Sequence, residues 1–436
     1  MTKLPPDRSE AAFSDFKPAY DRTQAAFEAN RCLFCHDAPC VQACPTSIDI
    51  PGFIRKIATG NLKGSAATIF DSNVLGMSCA RVCPVEVLCV GDCVFNSADV
   101  PPIQIGKLQR YATDHAYDQG WSFFEAGPDS GRSVGLIGAG PASLAAAHRL
   151  RRFGHAVTIY EARDVVGGLN TVGVAPYKMP AQRALDEFDW VRRIGGIDVQ
   201  TGVSVPADLS WADLEDRHDA LFIGVGLGAD SRLSVEGEDL DGVSGAVAWI
   251  ERMKLGRVDL SGVRNAVVIG GGNTAVDAVR ELLGLGVENV KLLYRGTEAG
   301  MPGYAHEWAH AKKEGARVVW QVQPTGFTGA DGRVGGVRCV RLDDHKQPIA
   351  GTDHEIAADL VLLGIGQGKL AGLVAGLDGL QTDRGRIVAD DAGATGRPGV
   401  FAGGDCVNGG KEVVNAVAMG RDAAVAIHSY LTAGGH

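Results

Sequence analysis

Eight of the ten cysteines in this chain of 436 residues lie between Cys32 and Cys93. They form two runs, Cys32-x2-Cys35-x4-Cys40-x3-Cys44-Pro45 and Cys79-x3-Cys83-Pro84-x4-Cys89-x3-Cys93. Clustered thiolates are soft donors for zinc or iron–sulfur clusters, and in an oxidising compartment they would pair as disulfides instead. The N-terminal segment "MTKLPPDRSEAAFSDFKPAYDR" is polar and lacks the apolar stretch of a secretory signal. This predicts a cytoplasmic protein, in which disulfides are disfavoured. Structural zinc prefers paired Cys-x2-4-Cys knuckles, which only Cys32/Cys35 and, more loosely, Cys79/Cys83 or Cys89/Cys93 provide. A tight run closing on Cys-Pro is the pattern of two-cluster proteins, so two [4Fe–4S] clusters are predicted, with zinc as the rival. Cys339 and Cys406 stand apart and are expected to be small buried residues.

A second chemistry is carried by glycine. In "VGLIGAGPAS" a strand runs into Gly138, Gly140 and Pro141, and a helix follows. Gly138 turns the chain, Gly140 lets a pyrophosphate approach, and the helix N-terminus holds its charge. The next strand, "AVTIYE", ends in Glu161, placed to accept hydrogen bonds from an adenosine ribose, and Gly168 and Leu169 follow. Strand, glycines, helix, strand and acid in register mark a dinucleotide unit. "NAVVIGGGNTAVDAV" repeats the logic with Gly270, Gly272, Asn273, Thr274 and Ala275, but its next strand ends in Arg295. A cation there can meet the 2′-phosphate of NADP, where an acid would hold the ribose hydroxyls of NAD; the alternative is a solvated arginine. The two endings suggest two dinucleotides, FAD first and a nicotinamide second.

These residues need elements to position them. Residues 1–125 contain helix-like stretches such as "PGFIRKIATGNLKGSAATIF" and "IQIGKLQRYATDHAYD" and read as a helical cluster domain. The linker "EAGPDSGR" leads into the first dinucleotide unit over 126–262, and the second follows over 263–370. Residues 371–436 read as a strand, a glycine turn and a closing helix. The formal charge of −10 argues against nucleic acid as a partner. No run of about 18 apolar residues offers a membrane span.

The order of the units resembles the two-dinucleotide flavoprotein disulfide-reductase superfamily. That resemblance implies an α/β fold of two Rossmann-like domains, here preceded by the helical iron–sulfur domain. The NAD(P) domain is inserted in the FAD domain, which residues 371–436 complete. "FIGVGLGADSRL" around Gly226 and "VFAGGDCVNGG" with Gly404 and Asp405 carry the resemblance, and Gly366 is a further candidate contact. Asp405 corresponds to the acid that binds the FAD ribityl chain. The redox-active cysteine pair of those reductases is missing from both dinucleotide regions, so electrons need another exit.

Nearly the whole chain also resembles the small subunit of bacterial dihydropyrimidine dehydrogenase. The matching segments are "RCLFCHDAPCVQACPTSIDIPGFI", "NVLGMSCARVCPVEVLCVGDCV", "PPIQIGKLQRYATD" and "GGLNTVGVAPYKMP". The related glutamate synthase small subunit has a more compact second cysteine group, so Cys83-x5-Cys89-x3-Cys93 favours the pyrimidine family. The resemblance implies one cluster on Cys32, Cys35, Cys40 and Cys93, and another on Cys44, Cys83, Cys89 and Gln109, with Cys79 a bystander. From the residues alone, Cys79 is equally fit as a ligand and Gln109 as a helix-surface residue. Lys178 would lie near the flavin, where relatives commonly have arginine, the alternative being a solvated loop lysine. The implied activity is NAD(P)H oxidation at FAD and electron transfer to a larger FMN- and iron–sulfur-containing subunit that reduces uracil or thymine. A glutamate-synthase-type small subunit and a non-catalytic redox-sensing or assembly module are the alternatives.

Overall fold

The N-terminal region is helical because its apolar residues recur at helical spacing and its helix starts are capped. In Ile50–Ala58 the buried Ile50, Phe53, Ile54 and Ile57 form one stripe. Pro51 occupies the first turn, and the Asp49 carboxylate accepts a hydrogen bond from the Gly52 amide. The stripe packs against Ala25 and Ala29 of Arg22–Arg31 and against Ile105, Leu108 and Ala112 of Ile105–Asp118. Cys93 belongs to this core, and Cys32, Cys40, Cys44 and Cys89 pack on it. The apolar interior therefore pins the loops that carry the cysteines. The computed structural model describes residues 3–368, 370–374 and 376–434.

The first dinucleotide unit is built on β1 (Ser133–Ile137), β2 (Ala156–Glu161), β3 (Ile197–Thr201) and β4 (Ala220–Ile223). The second contains β5 (Val243–Gly245), β6 (Asn265–Ile269), β7 (Asn289–Tyr294) and β8 (Arg317–Trp320). An antiparallel sheet of β9 (Val322–Ala330), β10 (Arg333–Arg341) and β11 (His354–Ala357) follows, then β12 (Leu360–Leu363). A small hairpin of β13 (Thr382–Asp383) and β14 (Arg386–Ile387) precedes β15 (Val400–Ala402). The two large sheets are parallel, ordered β15-β4-β1-β2-β3 and β5-β12-β6-β7-β8. Because β15 pairs with β4, the chain returns to the first sheet only after the second is complete. The second unit is thus inserted in the first, the α/β architecture expected from the sequence.

One edge differs. β5 pairs with β12, and Ala246, Trp249, Ile250 and Met253 of the helix Ala246–Leu255 pack with the second unit's core. The second unit therefore begins upstream of residue 263, where the sequence pattern put its start. A three-residue strand leaves too short a pattern to read. Cys339 and Cys406 are both buried, and the Cys406 thiol donates to the carbonyls of Ile223 (3.3 Å) and Gly403 (3.2 Å).

Candidate functional site

Cys32, Cys35, Cys40 and Cys93 line one cavity of about 30 Å3, backed by Ile50, Ile54, Ile103 and Ile105. Burial, reinforced by the Cys32, Cys93 and Cys35 thiols, pushes Cys40 up to about 12. Four mutually repelling thiolates in an apolar cup are stable together only around a cationic centre. Among the described residues no three His, Cys, Asp or Glu side chains are grouped as ligands of a single metal ion. Four sulfurs around a shared void fit a cluster, in which each iron takes its own protein ligand.

Cys44, Cys83 and Cys89 form the second group. The Cys83 thiol is raised by its hydrogen bond with Cys79, by burial and by the Cys79, Cys89 and Cys44 sulfurs. Cys89 is raised by burial and then by Cys44 and Cys40. Cys79 thus sits beside Cys83. Gln109, buried on Ile105–Asp118, donates from its amide nitrogen to the Gly76 carbonyl at 2.8 Å, one helical turn before Cys79.

A larger cavity of about 430 Å3 brings the dinucleotide motifs together. Gly138, Gly140, Pro141 and Glu161 line it, with Gly168, Leu169 and Gly226 beside them and Gly404 and Asp405 on the chain's return after β15. Asn273 and Thr274 enter from the second unit. Gly138 has φ +91°, and a Cβ there would lie 2.7 Å from the Gly224 carbonyl oxygen, so only glycine makes this turn. Gly140 caps the helix Pro141–Arg152, whose free amides suit a pyrophosphate. Glu161 accepts from the amides of Ala139 (2.8 Å) and Arg163 (2.9 Å), which fixes its carboxylate at the wall and leaves lone pairs for ribose hydroxyls. Burial raises Asp405, which accepts from the Lys411 amide at 3.2 Å.

Sequence reading missed Asn170. The residue lines the cavity; its Nδ2 donates to Ser78 Oγ at 3.0 Å, and its Oδ1 is buried with no protein partner. This donor set fits a flavin dinucleotide. Gly270, Gly272, Ala275, Arg295 and Gly366 are not on the cavity wall. Gly270 and Gly272 shape the turn into Asn273–Gly284, where a Cβ on Gly270 would lie 2.2 Å from the Gly364 oxygen. Ala275 is buried on that helix. Arg295 is exposed just beyond β7, and Gly366 follows β12 with φ +104°.

Lys178 is no solvated loop lysine. Its side chain is 12% exposed, with Nζ 2.9 Å from Asp277 Oδ1 and 3.0 Å from Glu307 Oε1. Burial alone would lower its pKa, but the two carboxylates win and the value is raised. Arg280 also binds Glu307 (3.1 Å) and lies 4.1 Å over the Tyr177 ring. The fully buried Lys254 donates to the Val174 and Met179 carbonyls on either side of this loop.

The cluster domain reaches the same cavity, because Val82 and Pro84, flanking Cys83, line it. The helix Gly76–Val82 is docked by Glu187 of Ala181–Arg192, which accepts from the Met77 (3.1 Å) and Ser78 (3.2 Å) amides and the Ser78 hydroxyl. Burial outweighs these bonds and Arg81, pushing Glu187 up from 4.5 to about 7. The native state therefore holds this proton more tightly than the unfolded chain. Its stabilising effect is complete below pH 4.5 and is lost as pH rises through about 7. One such group is worth up to roughly 3 kcal/mol. Glu187→Gln should remove this component: between pH 5 and 8 its melting temperature should decline less than that of the wild type, and parallel declines would exclude Glu187 as the source.

Comparison with known proteins agrees with this layout. Residues 8–121 match the dihydropyrimidine dehydrogenase domain II, 4Fe-4S cluster family, and residues 132–420 the pyridine nucleotide-disulphide oxidoreductase family. Mycobacterium tuberculosis FprA in complex with NADPH superposes with TM-score 0.58 at 19% identity, covering 69% of this chain and 85% of that one. T. acidophilum thioredoxin reductase gives 0.55 at 23%, covering 69% and 99%. These two likenesses concern the fold alone. Together with the family matches, the fold and site define an NAD(P)H-dependent flavoprotein oxidoreductase joined to an iron–sulfur domain.

The NAD-dependent dihydropyrimidine dehydrogenase subunit PreT of Escherichia coli K12 is 36% identical over 421 residues, covering 96% of this chain and 97% of that one. The glutamate synthase [NADPH] small chain of the same organism is 34% identical over 453 residues, covering 96% and 94%. The NADP(+)-dependent formate dehydrogenase subunit beta of Moorella thermoacetica is 35% identical, covering 91% and 60%. The chain belongs to the pyridine nucleotide-disulphide oxidoreductase family, in the group that holds PreT and the glutamate synthase small chain. Its redox groups are FAD, [4Fe–4S] clusters and NAD(P)H. No helix among the described residues is long and apolar enough to cross a membrane.

Proposed function

We propose that this chain is the electron-input subunit of a larger reductase. It oxidises NAD(P)H at FAD and passes the electrons through two [4Fe–4S] clusters to a larger subunit carrying FMN and further clusters, which reduces uracil or thymine to the 5,6-dihydropyrimidine. One observation carries this reading: Asp405 of the first unit, Thr274 of the second and Pro84 beside Cys83 meet in a single cavity. FAD held there would supply the conversion between two-electron and one-electron chemistry. Glu161 orients the dinucleotide by hydrogen bonds, and Lys178, held between Asp277 and Glu307, forms part of the cavity wall. The group with Cys83, on the cavity side, would hold the cluster that accepts electrons first, and the quartet with Cys32 would hold the second.

Two features favour the pyrimidine reading. PreT aligns over 421 residues and the glutamate synthase small chain over 453 for the same 96% of this chain, so the second alignment carries more inserted residues. The second cysteine run also has the wider spacing of the pyrimidine family. The 34% identity to the glutamate synthase small chain keeps a different large subunit as the second reading. The test is co-purification of the partner from its native cells, followed by anaerobic assay of the complex with uracil. Coenzyme-dependent loss of uracil is expected; an amidotransferase partner and inert uracil would sink the reading.

The coenzyme gives a separate expected result. Arg295 is exposed and the next residue, Gly296, adds no second cation, so any preference for the 2′-phosphate is modest, on the order of tenfold. Both coenzymes should be used. Arg295→Ala should weaken NADPH use about tenfold and leave NADH use nearly unchanged in a dye-reduction assay. An equal loss with both would show that Arg295 does not read the phosphate.

A further inference from the structure

Oxidising one NAD(P)H for the benefit of one-electron acceptors balances only with a proton: NAD(P)H gives NAD(P)+, two electrons and one H+. The electrons leave through the clusters. The proton is set free in the same cavity, where the bound dinucleotides displace water. His306 lies between that cavity and the surface. It sits in the first turn of Ala305–Lys313, and its ring stacks on Tyr304 at 5.6 Å and 14°. Its Nε2 is buried and has no hydrogen-bond partner. That nitrogen is 3.9 Å from Glu307 Oε1, the oxygen that faces Lys178, and 3.5 Å from Glu86 Oε2. Glu307 lines the cavity, while the Glu86 side chain is 39% exposed and salt-bridged to Lys17 at 3.3 Å. A second cavity carboxylate, Glu412, accepts from the Tyr304 hydroxyl at 2.6 Å.

We infer that His306 is a proton relay that carries the proton of NAD(P)H oxidation from Glu307 at the cavity wall to Glu86 at the surface. This rests on the electron-input reading above. The proton passes from the Glu307 carboxyl to Nε2 and leaves from the same nitrogen to Glu86 after a small tilt of the ring. No bond other than these O–H and N–H bonds forms or breaks. Both contacts are somewhat longer than hydrogen bonds, a separation that relay pairs close only during transfer. The groups facing the imidazole are Tyr304, Glu307 and Glu86, with Lys178 and Arg280 behind Glu307 and Lys17 behind Glu86.

The test is anaerobic single-turnover mixing of the holoprotein and NADH with ferricyanide, following ferricyanide bleaching and a pH-indicator dye together. The wild type should release one proton per two ferricyanides with no lag; failure of the wild type to oxidise NADH would refute the electron-input reading itself. In His306→Gln the proton should appear at least about tenfold later than the electrons, and added imidazole should restore the wild-type timing. Glu86→Gln, at an exposed side chain, should produce the same kind of lag without imidazole rescue. Flavin and iron contents measured on the same samples separate a lag from lost cofactor. Proton release in step with the electrons in either variant would overturn the relay.

Discussion

Cys83→Ser is expected to cost the protein one whole cluster, so that iron and labile sulfide fall from about eight to about four of each per chain. Cys83 belongs to the group with Cys44 and Cys89, and serine replaces its soft thiolate with a poor ligand. The informative partner experiment is Cys79→Ser. The Cys79 thiol lies beside Cys83, close enough to compete for the fourth position, while Gln109 holds the Gly76 carbonyl through its amide nitrogen. Family resemblance favours Gln109, so Cys79→Ser should keep both clusters and Gln109→Ala should degrade one. Iron and sulfide analysis under anaerobic conditions reads all three variants. Loss in Cys79→Ser with retention in Gln109→Ala would reassign the ligand to Cys79.

Lys178→Met should produce the largest loss of stability. The methionine removes the cation that Asp277 and Glu307 share; Arg280 still pairs with Glu307, but Asp277 is left in a buried space with only the Tyr177 hydroxyl, a change that costs roughly 3 kcal/mol. Because Lys178 belongs to the first unit and both carboxylates to the second, the loss should appear as early separation of the units. Thermal release of flavin fluorescence should begin several degrees below that of the wild type. Lys178→Arg keeps the charge and should fall in between, limited by how a planar guanidinium fits between two carboxylates placed for an ammonium. If the methionine variant releases flavin no earlier than the arginine variant, the ion pairs do not hold the units together.

Much of this was legible in the chain itself. Gly138 and Gly270 announce their turns because a positive φ beside a neighbouring carbonyl leaves no room for a Cβ, a constraint that acts within a few residues. The cysteine runs announce clusters because thiolate ligands are scarce and their spacing is local. The start of the second unit is not legible locally, because β5 gains its meaning only by pairing with β12, more than a hundred residues later in the chain.

The sequence by itself determined which redox chemistry the chain carries: thiolates for clusters, glycine turns for two dinucleotides, and the order in which they come. Those properties depend on ligand identity and local backbone geometry, which short motifs encode. Only the tertiary structure decided what surrounds that chemistry. It placed Lys178 between Asp277 and Glu307, left the Asn170 oxygen free, set Pro84 at the flavin cavity, and lodged His306 between two carboxylates. These side chains come from segments far apart in the chain. Their meeting is fixed by how three units pack, through burial and charge pairing that no local pattern records.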